Sequence, residues 1–247
     1  MTTSSFPIPP RPFDGSCRKV DAGAGFDWLR QGWALFIASP GVWMAVAVIT
    51  LVILIGCSIV PVVGQIAGQL LLPVLGAGLL HLCRRQAEGI EPEIPELFAG
   101  FRGRAGNLVL VGLIYTLAVL IIGVLAALVV GGGIAGGVAT GSPAGLGFLF
   151  GGFLLGALLL TVLLAPVMMA VWFAPALVFF NAMAPVEAMK ASFHACLKNW
   201  LAFLVYGIIL TVLFFLSALL LGLGFLVLIP VMAGALYASY RDIFLVV

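Results

Sequence analysis

Charge is what this sequence has least of. Asp, Glu, Lys and Arg make up 8% of its 247 residues, against a hydrophobic share of 64%. A soluble domain is nearer a quarter charged and half apolar. No soluble fold of this size has interior enough to hide so much apolar surface, so a lipid bilayer is the solvent for most of the chain. Between Arg30 and Arg84, and again between Arg104 and Glu187, no ionisable acid or strong base occurs. Each run far exceeds the ~20 apolar residues of one membrane span.

Further absences exclude functions. The net charge of +2 is too small for nucleic acid to be a partner. Cys17, Cys57, Cys83 and Cys196 form no Cys-x-x-Cys pair, so neither a disulfide framework nor a strong zinc motif is present. His81-x-Cys83 and His194-x-Cys196 are the nearest approach to a metal motif. On a helix, however, residues two apart point in nearly opposite directions and cannot share one ion. No Ser or Cys has a base and an acid placed to activate it, and no catalytic residue or cofactor is expected. A carboxylate, His or Arg at membrane depth, the usual mark of an ion-coupled transporter, is also missing.

The first twenty residues, "MTTSSFPIPPRPFDGSCRKV", lack an apolar core and a small-residue cleavage site. They predict a disordered cytoplasmic tail over residues 1–20, with Pro-x-Pro-Pro as floppy leader rather than polyproline ligand. Gly131-x-Gly133-x-x-Gly136 has the spacing of a dinucleotide loop. It follows a span instead of a strand, and no acidic residue comes before Glu187 to meet a ribose. No nucleotide is expected there. The stretch 131–145 predicts an outer loop or re-entrant piece. Gly132-x-x-x-Gly136, Gly147-x-x-x-Gly151 and Gly152-x-x-x-Gly156 predict close helix packing.

What is present is a set of long apolar helices. Hydropathy and turn residues predict six spans, roughly Val42–Val60, Ile66–Leu82, Leu108–Val130, Leu146–Phe180, Trp200–Leu221 and Gly224–Tyr240. The fourth is too long for a plain span, and Pro166 and Pro175 should kink it. All 11 Lys and Arg fall in the first thirty residues, the 84–104 loop, the 190–198 segment and the C-terminus, while the alternate connections carry no charge. That bias predicts a multispanning membrane protein with both termini cytoplasmic.

Three charged segments share a pattern: "WLRQGWALFIASPGVW" from Trp28, "LFAGFRGRAGNLVL" from Leu97 and "MKASFHACLKNWLAF" from Met189. The second span of each following pair aligns Pro73, Pro166 and Pro230, and Trp43 precedes Pro73 by the same 30 residues as Trp200 precedes Pro230. The expectation is an all-α membrane bundle over residues 21–247. It would consist of three tandem units (21–83, 93–181 and 185–244), each an interfacial helix followed by a helical hairpin. Glu88, Glu91, Glu93 and Glu96 read as solvated surface around Pro92 and Pro95. Gln65, Gln69, Tyr115, Thr116, Thr161, Tyr206 and Thr211 read as groups that bond neighbouring helices. The candidate lipid- or partner-contacting residues are Trp28, Arg30, Trp33, Phe98, Phe101, Arg102, Arg104, Lys190, Phe193, Lys198 and Trp200. They mix cations with aromatics at helical spacing, as interfacial anchors do.

The first two of these segments, with the terminal "LIPVMAGALYASYRDIF" from Leu228, resemble a family of six-span proteobacterial inner-membrane proteins for which no activity is established. They are more loosely similar to the membrane domains attached to some glycerophosphodiester phosphodiesterases. The first resemblance implies a multispanning cytoplasmic-membrane protein. The second implies no catalysis, because the acidic metal ligands of the soluble catalytic domain have no counterpart. The function expected is a structural, accessory or regulatory subunit of a membrane assembly, with handling of lipid or another apolar solute as the alternative. Its partners would be membrane lipids and other inner-membrane proteins or further copies of itself.

Overall fold

A computed structural model of the chain describes residues 15–140, 145–219 and 222–245. The described residues are helical with no strand among them, and six helices are long and apolar enough to cross a membrane. The all-α bundle with six spans is borne out. In order, the helices are α1 (Ala24–Ala38), α2 (Pro40–Ile59), α3 (Val63–Ala87), a 3-10 segment (Ile94–Phe101), α4 (Ala105–Thr140), α5 (Gly145–Trp172), α6 (Ala174–Asn181), α7 (Pro185–Lys198), α8 (Trp200–Leu219) and α9 (Phe225–Tyr240). A π turn at Arg241–Leu245 extends α9. Pro40, Pro95, Pro175 and Pro185 each sit in the first turn of a helix, where a missing N–H costs nothing.

The packing follows the chain in a ring. α1 lies on α9, the 3-10 segment on α3, and α7 on α5. Absent side chains make the first two contacts possible. A Cβ on Gly32 would strike the Val231 carbonyl of α9, and one on Gly100 would strike the Val74 carbonyl of α3. Both carbonyls immediately follow a helix-interior proline, Pro230 and Pro73. At the third contact Ser192 of α7 replaces the glycine, and its hydroxyl bonds to α5.

Three sequence expectations need correction. The predicted loop over 131–145 is mostly helix. α4 continues to Thr140 and α5 starts at Gly145, with 141–144 outside the described residues. Helix satisfies every backbone group internally, which apolar surroundings demand. The absent side chains at Gly133 and Gly152 let the two helices meet backbone to backbone. Gly152-x-x-x-Gly156 does pack, but on the α4 side the contact belongs to Gly133 and Gly137. Gly132, Gly147 and Gly151 face open space. The kink of the long fourth span falls at Phe173, just before Pro175, which opens α6 and has no N–H to continue the ladder, whereas α5 runs through Pro166 unbroken. The Ser192 hydroxyl accepts from the Phe173 N–H at 2.9 Å and donates to the Met169 carbonyl at 2.6 Å. It has inserted itself into one rung of the helical ladder, an established cause of a break.

The tail is the third. Residues 1–14 lie outside the described residues, but 15–20 are held against the fold. Buried Asn199 accepts from the Val20 N–H at 2.8 Å and donates to the Arg18 carbonyl at 3.0 Å. Lys198 donates to the Cys17 carbonyl at 2.6 Å, and the Arg18 N–H donates to the Ile243 carbonyl at 2.9 Å. The described part of the predicted tail, residues 15–20, is therefore ordered.

Candidate interfacial site

The core sits at one end of the bundle. Trp28, Trp43, Leu97, Phe173, Leu177 and Tyr240 are among its largest fully buried side chains. They come from α1, α2, the 3-10 segment, the α5–α6 break, α6 and α9, so the short helices gather at the end that carries the cations. α4 and α5 bury little besides their mutual seam and the first turns of α4.

The predicted interfacial residues separate on this scaffold. Trp33, Phe98, Phe101 and Trp200 are exposed aromatics, with Trp200 the most open at 54%. Arg30, Arg102, Lys190 and Lys198 are exposed cations, while Arg104 and Phe193 are half-buried. These remain on the surface that would meet headgroups. Trp28 does not. It is 1% exposed, donates from Nε1 to Asp242 Oδ2 at 3.0 Å, and packs on Phe203 and Tyr206 at ring separations of 5.3 and 6.2 Å. Its alternation with Arg30 resembles an anchor in sequence, but the ring closure of α1 onto α9 and α8 turns it inward. Lys198 is exposed, yet its ammonium group is already engaged by the Cys17 carbonyl.

Glu96 also departs from expectation. Its carboxylate is largely buried and faces three cationic or titratable groups: His81 Nε2 at 3.1 Å, Arg85 at 3.3 Å and Arg102 at 4.0 Å. It ties the 3-10 segment to α3 instead of facing water. Glu88 pairs with Arg84 one helical turn away at 2.9 Å. The Arg84 guanidinium stands 5.5 Å from the centre of the Phe180 ring. Two more residues without a sequence motif hold the layer together. Gln86 accepts from Trp43 Nε1 at 2.7 Å and donates to the Leu35 carbonyl at 2.9 Å, clamping the α1–α2 corner onto α3. The Tyr240 hydroxyl donates to Asn181 Oδ1 at 2.5 Å. The only sequence sign of Gln86, Asn199 and Ser192 was a lone neutral polar residue beside a span, which has many innocent uses.

Among the described residues no three His, Cys, Asp or Glu side chains gather as an ion would require. His81 is engaged by Glu96, and His194 Nδ1 lies 2.7 Å from the Lys190 carbonyl of its own helix. Burial pushes the Cys196 thiol up to about 12, against a smaller opposing effect of its hydrogen bond with Ser192, so the free thiol stays protonated at ordinary pH.

A protein of Burkholderia thailandensis, called a probable inner membrane protein, is similar to this chain. The two are 30% identical over 258 aligned residues, covering 92% of this chain and 93% of the relative. No family model and no solved structure matches the chain. The similarity does not extend, by anything in that name, to glycerophosphodiester phosphodiesterases. It agrees with six spanning helices, an uncharged interior and a charged layer confined to one end of the bundle. The chain belongs to the family of that inner-membrane protein.

Proposed function

We propose that the protein is a non-catalytic accessory subunit of an inner-membrane assembly, using the outer end of the α4–α5 hairpin as its docking arm. One observation carries the reading. α4 is 36 residues long without a charged side chain, about 54 Å at 1.5 Å per residue. At an average tilt of ~20° it still rises ~51 Å, beyond the ~40–45 Å of a bilayer with its headgroups. Its far end, with the start of α5, exposes Ile134, Val138, Leu146, Phe148 and Phe150. An apolar arm that overshoots the lipid needs protein to cover it.

The finer points of topology belong to the same proposal. Both termini and the basic layer face the cytoplasm, which supports the arm reaching the opposite side. The chain comprises three tandem units. Their support is the ring in which each short segment (α1, the 3-10 segment, α7) seats on the proline-bearing helix of the unit before it. The exposed cations and aromatics of those segments anchor the layer in anionic headgroups.

A photo-crosslinking residue at Val138 in native membranes tests the arm, with Leu120 at mid-span as the control. Protein adducts at 138 and only lipid adducts at 120 are expected. Lipid adducts alone at both positions would remove the arm's role. A second reading, carriage of lipid or another apolar solute, is favoured by one feature, an apolar recess between α5 and α8.

A further inference from the structure

Packed neighbours run in series α8–α9–α2–α3–α4–α5, and the two end members, α5 and α8, meet chiefly through α7 and a few side chains. At that seam lies a recess of about 330 Å³, the lower end of the range for small-ligand sites. Met168, Met169 and Trp172 of α5, Cys196 of α7, and Phe203, Tyr206, Gly207 and Leu210 of α8 line it. Two polar atoms of these walls are buried and, among the described residues, have no hydrogen-bond partner: Trp172 Nε1 and the Tyr206 hydroxyl. Tyr206 as a whole is 3% exposed. A buried donor left unmade is costly, and two on one apolar wall call for an acceptor from outside the chain.

We infer that this recess binds one acyl chain of a diacyl glycerophospholipid, with the chain's ester carbonyl accepting from Tyr206 and Trp172. The chemistry of the walls selects that ligand. No charged residue lines the recess, so a phosphate or free carboxylate is not what it holds. Tyr206 lies six residues into α8 from Trp200, about 9 Å along the axis. If Trp200 marks the aromatic belt, the hydroxyl sits at the depth of the glycerol esters, below the phosphates. The seam faces lipid because, among the described residues, no helix closes it on that side. Both polar atoms are buried behind the lining, so binding turns the Trp172 indole to admit the carbonyl. That ring now stands edge-on to Tyr206, 5.9 Å between centres. A Cβ on Gly207 would meet nothing within 4 Å, which leaves room for the chain and gives a clean way to block it.

The site deepens the second reading above. Lipid retained here but never transferred between membranes would leave the site standing while carriage fails. The test is native mass spectrometry of the purified full chain after detergent exchange into ester-linked or ether-linked phosphatidylethanolamine. One retained ester-linked lipid is expected, with about tenfold weaker retention of the ether-linked lipid, which lacks the carbonyl. Tyr206→Phe should weaken the ester-linked lipid to the same degree, and Gly207→Leu should abolish retention. Because the lipid comparison uses the unaltered protein, it stands even if a variant folds poorly. Equal retention of both lipids, retention undiminished in Gly207→Leu, or a free fatty acid in place of the diester would each overturn the assignment.

Discussion

Ser192 illustrates how much one hydroxyl decides. It replaces the direct bond between Phe173 N–H and Met169 C=O and so, with Pro175, sets where the long fourth span breaks. Ser192→Ala leaves both backbone groups buried or forces the helix straight against α7. A loss of about 1–3 kcal/mol is expected from the unmade bonds, read as a lower midpoint in SDS-induced unfolding. Cys196, one turn on, also donates weakly toward the Met169 carbonyl at 3.6 Å. Its thiol, raised by burial from 9.0 to about 12, binds a proton in the fold that the unfolded chain has already lost between those values. Its contribution to stability is therefore complete below pH 9 and disappears as pH rises toward 12. Cys196→Ala should flatten the alkaline limb of an unfolding-midpoint profile, and the thiol should resist maleimide at pH 7.5 until the protein is unfolded.

Among the elements, the α4–α5 hairpin separates what glycine spacing tells from what packing tells. The sequence placed small residues at the right intervals, yet the five glycines of 131–137 offer several helical faces and only one can be the seam. The contact fell to Gly133 and Gly137, not Gly132 and Gly136 as a pair. A Cβ on Gly152 would press on the Cα of Gly133, whereas one on Gly151 meets nothing within 4 Å. Gly152→Val should destabilise the hairpin by about 1–3 kcal/mol, as overpacking does. Gly151→Val should change the unfolding midpoint far less, by about the ~0.5 kcal/mol typical of sites away from such contacts. Equal effects from the two would mean the seam runs elsewhere. The kink was legible in part, since Pro175 was visible in sequence and the inserted serine, nineteen residues from its target, was not.

At the scale of the molecule, the two ends of the chain are joined. Asp242 pairs with Arg18 and also receives the Trp28 indole, so the N-terminal segment, α1 and the C-terminal turn share one carboxylate. Asp242→Ala should free residues 15–20 and speed tryptic cleavage after Arg18 and Lys19 several-fold, with the helical spectrum unchanged. Cleavage no faster than in the parent would show that Asn199 and Lys198 hold the segment without help. This closure also accounts for Trp28. Next to Arg30 in a mixed aromatic–basic segment it resembled a headgroup anchor, and only the return of α9 beneath α1 turned it into core.

Lipid excludes ionised groups and unpaired backbone so strongly that the order of apolar runs and charges along the chain dictated helices, their number and the gathering of charge into a few segments. Those results need no partner information, because each helix meets the same solvent wherever its neighbours stand. Which glycine forms a seam, which tryptophan is buried, and which carboxylate is paired depend on contacts between residues far apart in the chain. An apolar environment rewards many alternative helix faces nearly equally, so that choice was made by tertiary packing and a handful of buried hydrogen bonds.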